Sequence, residues 1–485
     1  MQNLANKTNS DYFENPLKRS FANPRKSLIL SLKTPLAYAN WEPAYHVSIF
    51  SAKQGETVSF LLIELNEFSL PLLHSTVKTE DLPNIKKALN FKRTHLNIDD
   101  QYDSGFLEPW VQWVSIHTGT PSQTHQIRHL GDVANLEMEQ IWELLDKDGI
   151  KTGIWGVMNG TRGAAKNCAF FLPDPWTFSE PAHPATLAPL LALPRYISRN
   201  YLKPSKLKSA KLMTAMMRCL IGIIGVGNFV ASLGILGKGL LRFGPKHFVF
   251  ICWFEHLSAL SFLKHFERHR PDFATIFLNS IAHLEHHHWK QGTETATPEI
   301  KFGLKIIDRL LGRILSAAGE GASIVITNGL TQTNTNTDPT WILYRQIDPF
   351  RFISDAGINT TSVEPLMTND AHLFFTNAGE RDNAIEVLSA AHLNGKPFFL
   401  VEPDPKIPNK LFYRIDYTDK IKTGVSLDIN GRSLPFDRHF QSVVVRTGKH
   451  IPEAVALSEK IEMPDKMHNY DISKKILHHF ITQKP

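Results

Sequence analysis

Cysteine is scarce in this chain, and neither sign of charge dominates. The 485 residues contain three cysteines, Cys168, Cys219 and Cys252, which lie far apart and form neither a CxxC pair nor a disulfide framework. The formal net charge is only +6, and no basic stripe with interleaved aromatic residues is present. These absences argue against a disulfide-rich secreted protein and against nucleic-acid binding, and they favour a reducing compartment.

A secretory signal is missing as well. The beginning of the sequence has no apolar segment of the kind that directs export, so we expect a cytoplasmic protein. The one membrane candidate is 213–241, in which residues 219–236 carry no charge and approach the length of a spanning helix. Four glycines and Asn228 interrupt that stretch. The sequence therefore favours a buried or membrane-surface helical hairpin there, with a true span as the alternative.

The composition is that of an ordinary globular protein, with 42% hydrophobic and 21% charged residues. Continuous apolar runs, typical of strands covered on both faces, alternate with runs typical of helices. We therefore predict an α/β fold with a mainly parallel central sheet flanked by helices, an inserted helical cap and a small antiparallel addition. Predicted strands cover 57–65, 151–160, 247–254, 322–330 and 371–377, and predicted helices cover 137–149, 273–290, 300–318 and 380–392.

The chain divides into a leader and one large domain. Residues 1–55 are rich in Asn, Pro and Lys and indicate an irregular leader, whereas 56–485 contain the α/β pattern. Within that domain, the stretch 180–245 is first Pro-rich and basic and then apolar, which is typical of a cap insertion. The stretch 395–450 alternates with a period of two and predicts antiparallel strands.

Polar side chains follow three of the predicted strands. Ligands bind at the carboxyl ends of strands in open α/β sheets, so three polar strand ends together indicate a pocket. Ordinary helix caps and turn residues are the alternative for any single asparagine. The residues concerned are Glu64, Asn66 and Glu67 after the first strand, Asn159 and Arg162 after the second, and Asn328 and Gln332 after the fourth.

A histidine-rich run lies at 274–292. On a helix, Asn279 and His283 would share one face, with His286 or His287 one turn further along. Such a face suits either a metal site or a solvated polar surface, and the run alone does not distinguish them.

The segment 108–132 also combines groups that could carry chemistry. Ser115 or Thr118 could serve as a nucleophile if a base or a metal activated it, and His125 is close by in sequence. Thr118 and the following glycine fit a helix end equally well. His450 follows a strand in a glycine-containing loop, where a lone histidine is more often structural than a ligand.

Taken in order, these pieces resemble the alkaline phosphatase superfamily, especially its type I phosphodiesterase/nucleotide pyrophosphatase and sulfatase branches. The resemblance spans roughly 57–480 as a series of landmarks, and it implies the fold predicted above. The matching landmarks are LLIELNEFSLPLL at Asn66, SIHTGTPSQTHQI at Thr118, Gly119, Pro121 and His125, the pair Asn279 and His283, ITNGL at Asn328 and Gly329, GKHIPEAVAL at His450, and the closing NYDISKKILHHF.

The departures from the family pattern are systematic. The three positions that match metal-binding aspartates hold Asn66, Asn279 and Asn328, and one position that matches a metal-binding histidine holds Gly329. The family nucleophile falls near Pro109, which leaves Glu108 or Ser115 as candidates. Since two divalent ions need anionic ligands, the two-metal site of the family is not expected here. We expect at most one weakly held divalent ion, zinc or manganese.

The resemblance implies a hydrolase or transferase that acts on a phosphate or related ester of a glycan, a nucleotide or a lipid headgroup. Its partners would be a small-molecule, glycan or lipid-linked substrate, with a membrane surface possible through 213–241 and no nucleic acid. Three sets of residues are predicted: catalytic Glu64, Asn66, Glu108, Thr118 and Asn328; ligand-binding Glu67, Asn159, Arg162, His286 and Gln332; and metal-binding Asn279, His283 and His450. The alternative is a non-catalytic protein of the same fold that binds a polar ligand such as a sugar, using Trp110, Trp113 and Trp289.

Overall fold

The computed structural model describes most of the chain. The predicted leader over 1–55 lies outside the described residues, and the described residues belong to one compact unit. The described residues are 60–98, 107–200, 203–290, 293, 295–335, 341–367 and 369–482.

The described residues form twenty strands and fourteen α-helices. The strands are β1 (Phe60–Leu65), β2 (Lys92–Asn97), β3 (Thr152–Val157), β4 (Cys168–Pro173), β5 (Phe273–Leu278), β6 (Ser323–Thr327), β7 (Thr331–Asn334), β8 (Ile342–Gln346), β9 (Ser362–Pro365), β10 (Asp370–Phe374), β11 (His392–Leu393), β12 (Lys396–Pro397), β13 (Phe399–Pro403), β14 (Lys410–Ile415), β15 (Ser426–Ile429), β16 (Arg432–Pro435), β17 (Phe440–Val445), β18 (Gly448–Ile451), β19 (Ala454–Glu459) and β20 (Lys466–His468). The helices are α1 (Leu70–Thr76), α2 (Pro83–Leu89), α3 (Pro109–Thr118), α4 (Ser122–His125), α5 (Ile141–Lys147), α6 (Ala188–Arg199), α7 (Lys206–Phe243), α8 (His247–His269), α9 (Ser280–His288), α10 (Pro298–Ala318), α11 (Pro349–Asp355), α12 (Ala378–Ser389), α13 (Phe436–His439) and α14 (Asp471–Thr482).

An eight-stranded sheet forms the centre, in the order β20-β2-β19-β6-β1-β5-β3-β4. Strand β1 lies between β6 and β5 and is parallel to both. Only β19 runs antiparallel to its neighbours, β2 and β6. The predicted fold class, a mainly parallel α/β sheet with helices around it, is confirmed.

Strand β1 shows why the sheet lies in the middle of the molecule. All six of its side chains are buried, as expected for a parallel strand covered by helices on both faces. Leu61, Ile63 and Leu65 join the apolar core on one face, while Phe60 and Leu62 join the core on the other. The carboxyl ends of β1, β5 and β6 therefore meet at one edge of the sheet, and the turns that leave them lie side by side.

Antiparallel strands occur beside this sheet, as predicted. One small sheet has the order β13-β14-β10-β9, and another has the order β12-β11-β15-β16. A third apolar core, which includes Phe352 and Tyr413, packs between these strands and their helices. These sheets also recruit β9 and β10, so the antiparallel part begins earlier in the sequence than the predicted 395.

The strand predicted over 247–254 is wrong, because these residues open helix α8. The run HFVFICWF is apolar throughout, and a short apolar run fits a buried strand and a buried helix equally well. Helix α8 is buried on most of its surface, from Phe248 to Phe266, and its first eight residues contain one polar residue, so few polar positions reveal a helical period there.

The helix predicted over 273–290 begins too early. Residues 273–278 form strand β5 between β1 and β3, and the helix starts only at Ser280. The segment FATIFL is rich in aromatic and branched residues, which favour a strand. Asn279 is the N-cap position between the two elements. The helix predicted over 137–149 is also shorter, at Ile141–Lys147, and strands β2 and β4 were not predicted.

The predicted cap region contains helices α6 and α7. Helix α7 is interrupted at Gly225, whose φ of 81° and ψ of 155° belong to a backbone region open essentially only to glycine. By length and composition, α7 is the one helix of the described chain that could cross a membrane, and 22% of its most apolar window is buried. The break at Gly225 gives two helical segments, 206–224 and 226–243.

Candidate functional site

The turn after β1 connects three strands. The main-chain N–H of Asn66 donates to the Leu278 carbonyl at the end of β5. The main-chain N–H of Glu67 donates to the Asn328 carbonyl after β6, and both distances are 2.9 Å. Glu67 has a φ of 61°, a left-handed conformation that costs a side chain of this kind about 1 kcal/mol or more. This conformation places Asn66 and Glu67 side by side at the edge where β5 and β6 end.

Asn66 is the centre of what we call the amide half of the site, formed by Trp113, Asn66 and Asn279. The Trp113 indole Nε1 donates to Asn66 Oδ1 at 2.7 Å. The Asn66 Nδ2 group donates to Asn279 Oδ1 and to Glu67 Oε1, both at 2.8 Å. Because the indole is a donor only, it fixes the orientation of the Asn66 amide. An aspartate could not donate to Asn279, so this network requires an amide at 66.

Asn328 also uses its amide fully. Its Nδ2 donates to the Phe68 carbonyl at 2.9 Å and to Thr331 Oγ1 at 2.6 Å, and its Oδ1 accepts from the Val455 amide at 3.0 Å. The next residue, Gly329, has a φ of 69°, and a Cβ there would lie 2.9 Å from the Trp113 ring. The indole therefore fills the space beside the position at which the resembling family has a metal-binding histidine.

Glu67, His286 and His450 form the histidine half of the site. Glu67 Oε2 lies 3.0 Å from the Nε2 atoms of both histidines. The two Nε2 atoms lie 3.2 Å from each other. The three ligand atoms thus form a nearly equilateral triangle, and this cluster is of the kind that could hold a metal ion.

The surroundings of the two histidines prepare them as ligands. His450 Nδ1 donates to the Leu107 carbonyl at 2.6 Å, and His286 Nδ1 donates to the Gly448 carbonyl at 3.3 Å. With the proton held at Nδ1, the Nε2 lone pair of each neutral ring points toward Glu67. Ligands about 2.0 Å from a zinc ion lie about 3.3 Å apart in a tetrahedron, close to the spacing of these three atoms.

The charges of this half are strongly coupled. Burial raises the pKa of the Glu67 carboxyl, but the neighbouring His450 and His286 outweigh burial and hold that pKa well below its ordinary value. Burial lowers the pKa of His450, but Glu67 outweighs it and raises the pKa. At His286, burial outweighs the effect of Glu67, and the pKa of His286 is lowered. The negative charge of Glu67 thus favours protonation of His450, and His450 and His286 favour the ionised form of Glu67.

Charged groups line the rim of the cluster. Glu108, the N-cap residue of α3, lies 3.9 Å from His450 Nδ1 and 3.5 Å from a guanidinium nitrogen of Arg414. Burial raises the pKa of Glu108, although His450 and Arg414 oppose it. The guanidinium of Arg446 lies 4.5 Å from the centre of the Trp341 ring, and Glu108 and Glu67 act on it electrostatically. The Glu108 carboxyl group and two guanidinium groups thus border the histidine half.

Two further carboxylates lie below this layer. Glu64 is fully buried, where Thr275 donates to Glu64 Oε1 at 2.6 Å and His117 Nε2 lies 3.0 Å from the same oxygen. Glu285 is also fully buried, its Oε1 accepts from the Ser69 amide at 3.4 Å, and burial raises its pKa well above the ordinary value. Both side chains support the site from inside the core.

The structure gathers some of the predicted site residues and separates others. Asn66, Glu67, Asn279, His286, Gln332 and His450 lie together, with Asn328 and Glu108 beside them. Gln332 belongs because its Nε2 donates to Glu67 Oε2 at 2.5 Å and to the Ala282 carbonyl at 3.0 Å.

Four predicted site residues make their contacts elsewhere. Thr118 ends α3 and bonds to the Val114 carbonyl and to Thr120, both at 2.8 Å. Asn159 Oδ1 accepts from the main-chain N–H of Gly131, and the Arg162 guanidinium donates to the Ala165 carbonyl. His283 packs against the rings of His247 and His287. Asn159 and Arg162 follow β3, which is separated from β1 by β5, so they do not reach the site.

Sequence reasoning missed three contributors. The hydrogen bond from Trp113 to Asn66 gave no local signal, because the two residues are 47 positions apart. Arg446 stands four residues before His450 in the same loop, and that proximity could have identified it. Arg414 is contributed by β14, in the antiparallel part.

The tryptophan surface predicted for sugar binding is wrong. Trp110, Trp113 and Trp289 are 6%, 0% and 3% exposed, so all three are buried. Their ring N–H groups explain part of this placement, since Trp110 donates to the Arg128 carbonyl and Trp113 donates to Asn66.

Comparisons with known proteins find similarity in structure only. No protein-family model and no curated protein matches the chain. Phosphonoacetate hydrolase from Sinorhizobium meliloti, in complex with phosphonoformate, matches with a TM-score of 0.42 and 13% identity, covering 87% of this chain and 96% of that one. Human ectonucleotide pyrophosphatase/phosphodiesterase 5 matches with a TM-score of 0.42 and 12% identity, covering 88% and 96%.

A third similar structure is the alkaline phosphatase from the Antarctic bacterium TAB5, with a TM-score of 0.36, 12% identity, and coverage of 89% and 100%. At these identities the comparison describes overall fold and says nothing of substrate. The three proteins are similar to this chain in overall fold.

Proposed function

We propose that this chain hydrolyses or transfers a phosphate or related ester at a site that holds one divalent metal ion between Glu67, His286 and His450. One observation carries the proposal. Three ligand atoms lie 3.0 to 3.2 Å apart with both histidine Nδ1 protons already committed to backbone carbonyls. Two histidines and one glutamate, with a fourth position left open, are a common ligand set of catalytic zinc.

The amide half explains why one ion is expected and not two. The side-chain amides of Asn66 and Asn328 are used in hydrogen bonds to neighbouring protein groups, and neither position supplies a carboxylate ligand to offset a second cation. The Trp113 ring fills the space beside Gly329. The geometry therefore favours an altered, metal-poor site.

The residues of the rim would do the remaining work. A bound metal ion would polarise the ester and lower the pKa of water at the site. Arg446 and Arg414 would bind the anionic group and offset charge that develops on it. Glu108, next to both His450 and Arg414, would move the proton between the attacking and leaving groups. Cations at the rim favour an anionic ester, whether of a glycan, a nucleotide or a lipid headgroup.

The test begins with the purified full-length protein, its zinc and manganese content, and turnover of aryl phosphate mono- and diesters before and after chelation. We expect about one metal ion per chain and turnover that chelation abolishes and zinc or manganese restores. Glu67→Gln removes a ligand charge and is expected to weaken metal affinity by about 100-fold or more.

His283→Gln is the matched control, because His283 lies on α9 one turn before His286 and outside the cluster. It should keep metal affinity and turnover. Equal metal affinity in Glu67→Gln and the wild type would overturn the site. Turnover that survives chelation would overturn the role of the metal.

The alternative, a non-catalytic sugar-binding protein, has no comparable observation in its favour, because the tryptophans that suggested it are buried.

A further inference from the structure

Helix α7 carries most of the exposed apolar side chains of the described chain. Eight large hydrophobic residues are exposed in those ranges, and five of them lie on α7. A core helix would bury such residues, whereas only 22% of the most apolar window of α7 is buried. The five are Leu207, Val226, Val230, Leu233 and Leu241.

Four of these residues form one stripe on the second segment of α7. Val226, Val230, Leu233 and Leu241 recur at intervals of three, four and eight residues, which places them on one helical face. The opposite face packs on α8, where Trp253 donates to Ser232 at 3.1 Å. The exposed stripe is therefore the outer face of a helix whose inner face is already in contact with the protein.

The segment of the chain that carries this stripe has acidic residues neither within it nor in the sequence next to it. Residues 181–254 contain no aspartate and no glutamate. The same stretch contains ten lysines and arginines, of which Lys238 and Arg242 are exposed on the same helical segment as the stripe. The ten are Arg195, Arg199, Lys203, Lys206, Lys208, Lys211, Arg218, Lys238, Arg242 and Lys246. Exposed apolar side chains within an acid-free basic region are complementary to a surface that is apolar inside and anionic outside.

We propose that this face of α7, which we call the cap face, docks on an anionic lipid membrane and lies in the plane of its interface. The stripe would enter the boundary between headgroups and acyl chains, while the flanking lysines and arginines contact lipid phosphates. Two features oppose an arrangement in which α7 spans the membrane. The helix is broken at Gly225, and the second segment would have to lose its contact between Ser232 and Trp253 to cross the bilayer. The inference does not depend on the proposed function.

Sedimentation of the full-length protein with phosphatidylcholine vesicles, with and without phosphatidylglycerol, tests the cap face. The wild type should bind the vesicles that contain phosphatidylglycerol and be released as salt rises. Val230→Asp combined with Leu233→Asp should lower that binding by about tenfold or more, because two carboxylates would have to enter the interface. Lys238→Glu combined with Arg242→Glu should weaken the component of vesicle binding that is sensitive to salt.

Val445→Asp and Ile481→Asp are matched controls, because both residues are exposed and apolar but lie away from α7. They should bind vesicles like the wild type, and thermal melts should show that all variants are folded. Absent binding to anionic vesicles, or equal binding by the Val230/Leu233 variant, overturns the proposal. If light scattering shows a wild-type dimer, the Val230/Leu233 variant is monomeric and vesicle binding is absent, the face is a dimer interface and the proposal is overturned. Resistance of the cellular protein to alkaline carbonate extraction would indicate a span and overturn the interfacial arrangement.

Discussion

The amide half and the histidine half share one hydrogen bond, from Asn66 to Glu67, and differ in almost every other respect. In the amide half, each donor of Asn66 meets an acceptor, and Asn66, Asn279 and Trp113 are all neutral side chains. In the histidine half, a carboxylate and two imidazoles crowd three ligand atoms within 3.2 Å. The first half is complete as a protein structure, whereas the second is the arrangement that a cation would complete.

This difference shows how amide and carboxylate side chains at neighbouring positions lead to two kinds of contact. An amide has nearly the same outline as a carboxylate but adds two donors, so it can bond to neighbours where a carboxylate would bond to a metal ion. Here the Trp113 N–H donates to Asn66, and the Trp113 ring fills the space beside Gly329. The variants below test whether the two halves are as different as their contacts indicate.

Trp113→Ala should have the largest effect. It removes a fully buried indole and the donor to Asn66. We expect urea titrations to show a free energy of unfolding that is lower by about 3–5 kcal/mol. Trp113→Phe keeps most of the volume but leaves Asn66 Oδ1 without its donor, so about 1–3 kcal/mol is expected. Equal stability of Trp113→Phe and the wild type would show that the amide half does not depend on this bond.

Acid should weaken the support of the amide half. His125 braces α3, the helix that carries Trp113, because His125 Nε2 lies 3.0 Å from Ser115 Oγ and its Nδ1 accepts from the Ile127 amide. Burial lowers the pKa of His125 to about 4. The unfolded chain therefore binds this proton first, and stability falls as pH drops from about 6.5 to about 4, by about 3 kcal/mol from this group.

Urea titrations between pH 7 and pH 4 measure this loss. His125→Asn keeps an acceptor for Ile127 but has no proton to bind, so it should be less stable at pH 7 and should lose less stability toward pH 4. Parallel pH profiles for the variant and the wild type would show that the neutral state of His125 is unimportant.

Asn66→Asp restores the family residue at the centre of the amide half. The carboxylate would accept from Trp113 but face Asn279 Oδ1 and Glu67 Oε1 without a donor, which should cost about 1–3 kcal/mol at neutral pH. Urea titrations with and without zinc measure this change in the free energy of unfolding. If zinc stabilises Asn66→Asp more than the wild type, the amide half would be a latent second metal site, and the contrast between the halves would be smaller than proposed.

Gly329→Ala should have the smallest effect, at about 1–2 kcal/mol. The added methyl group meets a positive φ of 69° and the Trp113 ring at 2.9 Å. Combining it with Trp113→Phe should cost less than the sum of the two, because the smaller ring gives the methyl group room. Additive costs in a double-mutant cycle would separate Gly329 from the amide half.

Part of this site could be predicted because neighbouring strands carry it. The polar ends of the strands at Glu67 and Asn328 were grouped from sequence, and they meet because β1 and β6 are adjacent in the sheet. The same reasoning included Asn159, which lies elsewhere because β5 separates β3 from β1. Strand order depends on packing across the whole sheet, and the sequence pattern does not contain it.

The rest was hidden by burial and by distance along the chain. The first eight residues of helix α8 contain one polar residue, His247, so this apolar start resembles a strand. Strand β5 runs directly into Asn279 and α9, so the sequence read as one helix. The contact between Trp113 and Asn66 depends on the angle at which α3 packs on the sheet. The roles predicted for the individual site residues stay predictions until metal and activity are measured.

The left-handed backbone at Glu67 has a consequence for how this chain can change. Glycine would adopt a φ of 61° without strain, so replacing Glu67 by glycine relaxes the main chain. The same replacement removes the carboxylate on which the histidine half depends. A relaxed main chain and a carboxylate at the site therefore exclude each other at this position, and a substitution that improves one removes the other.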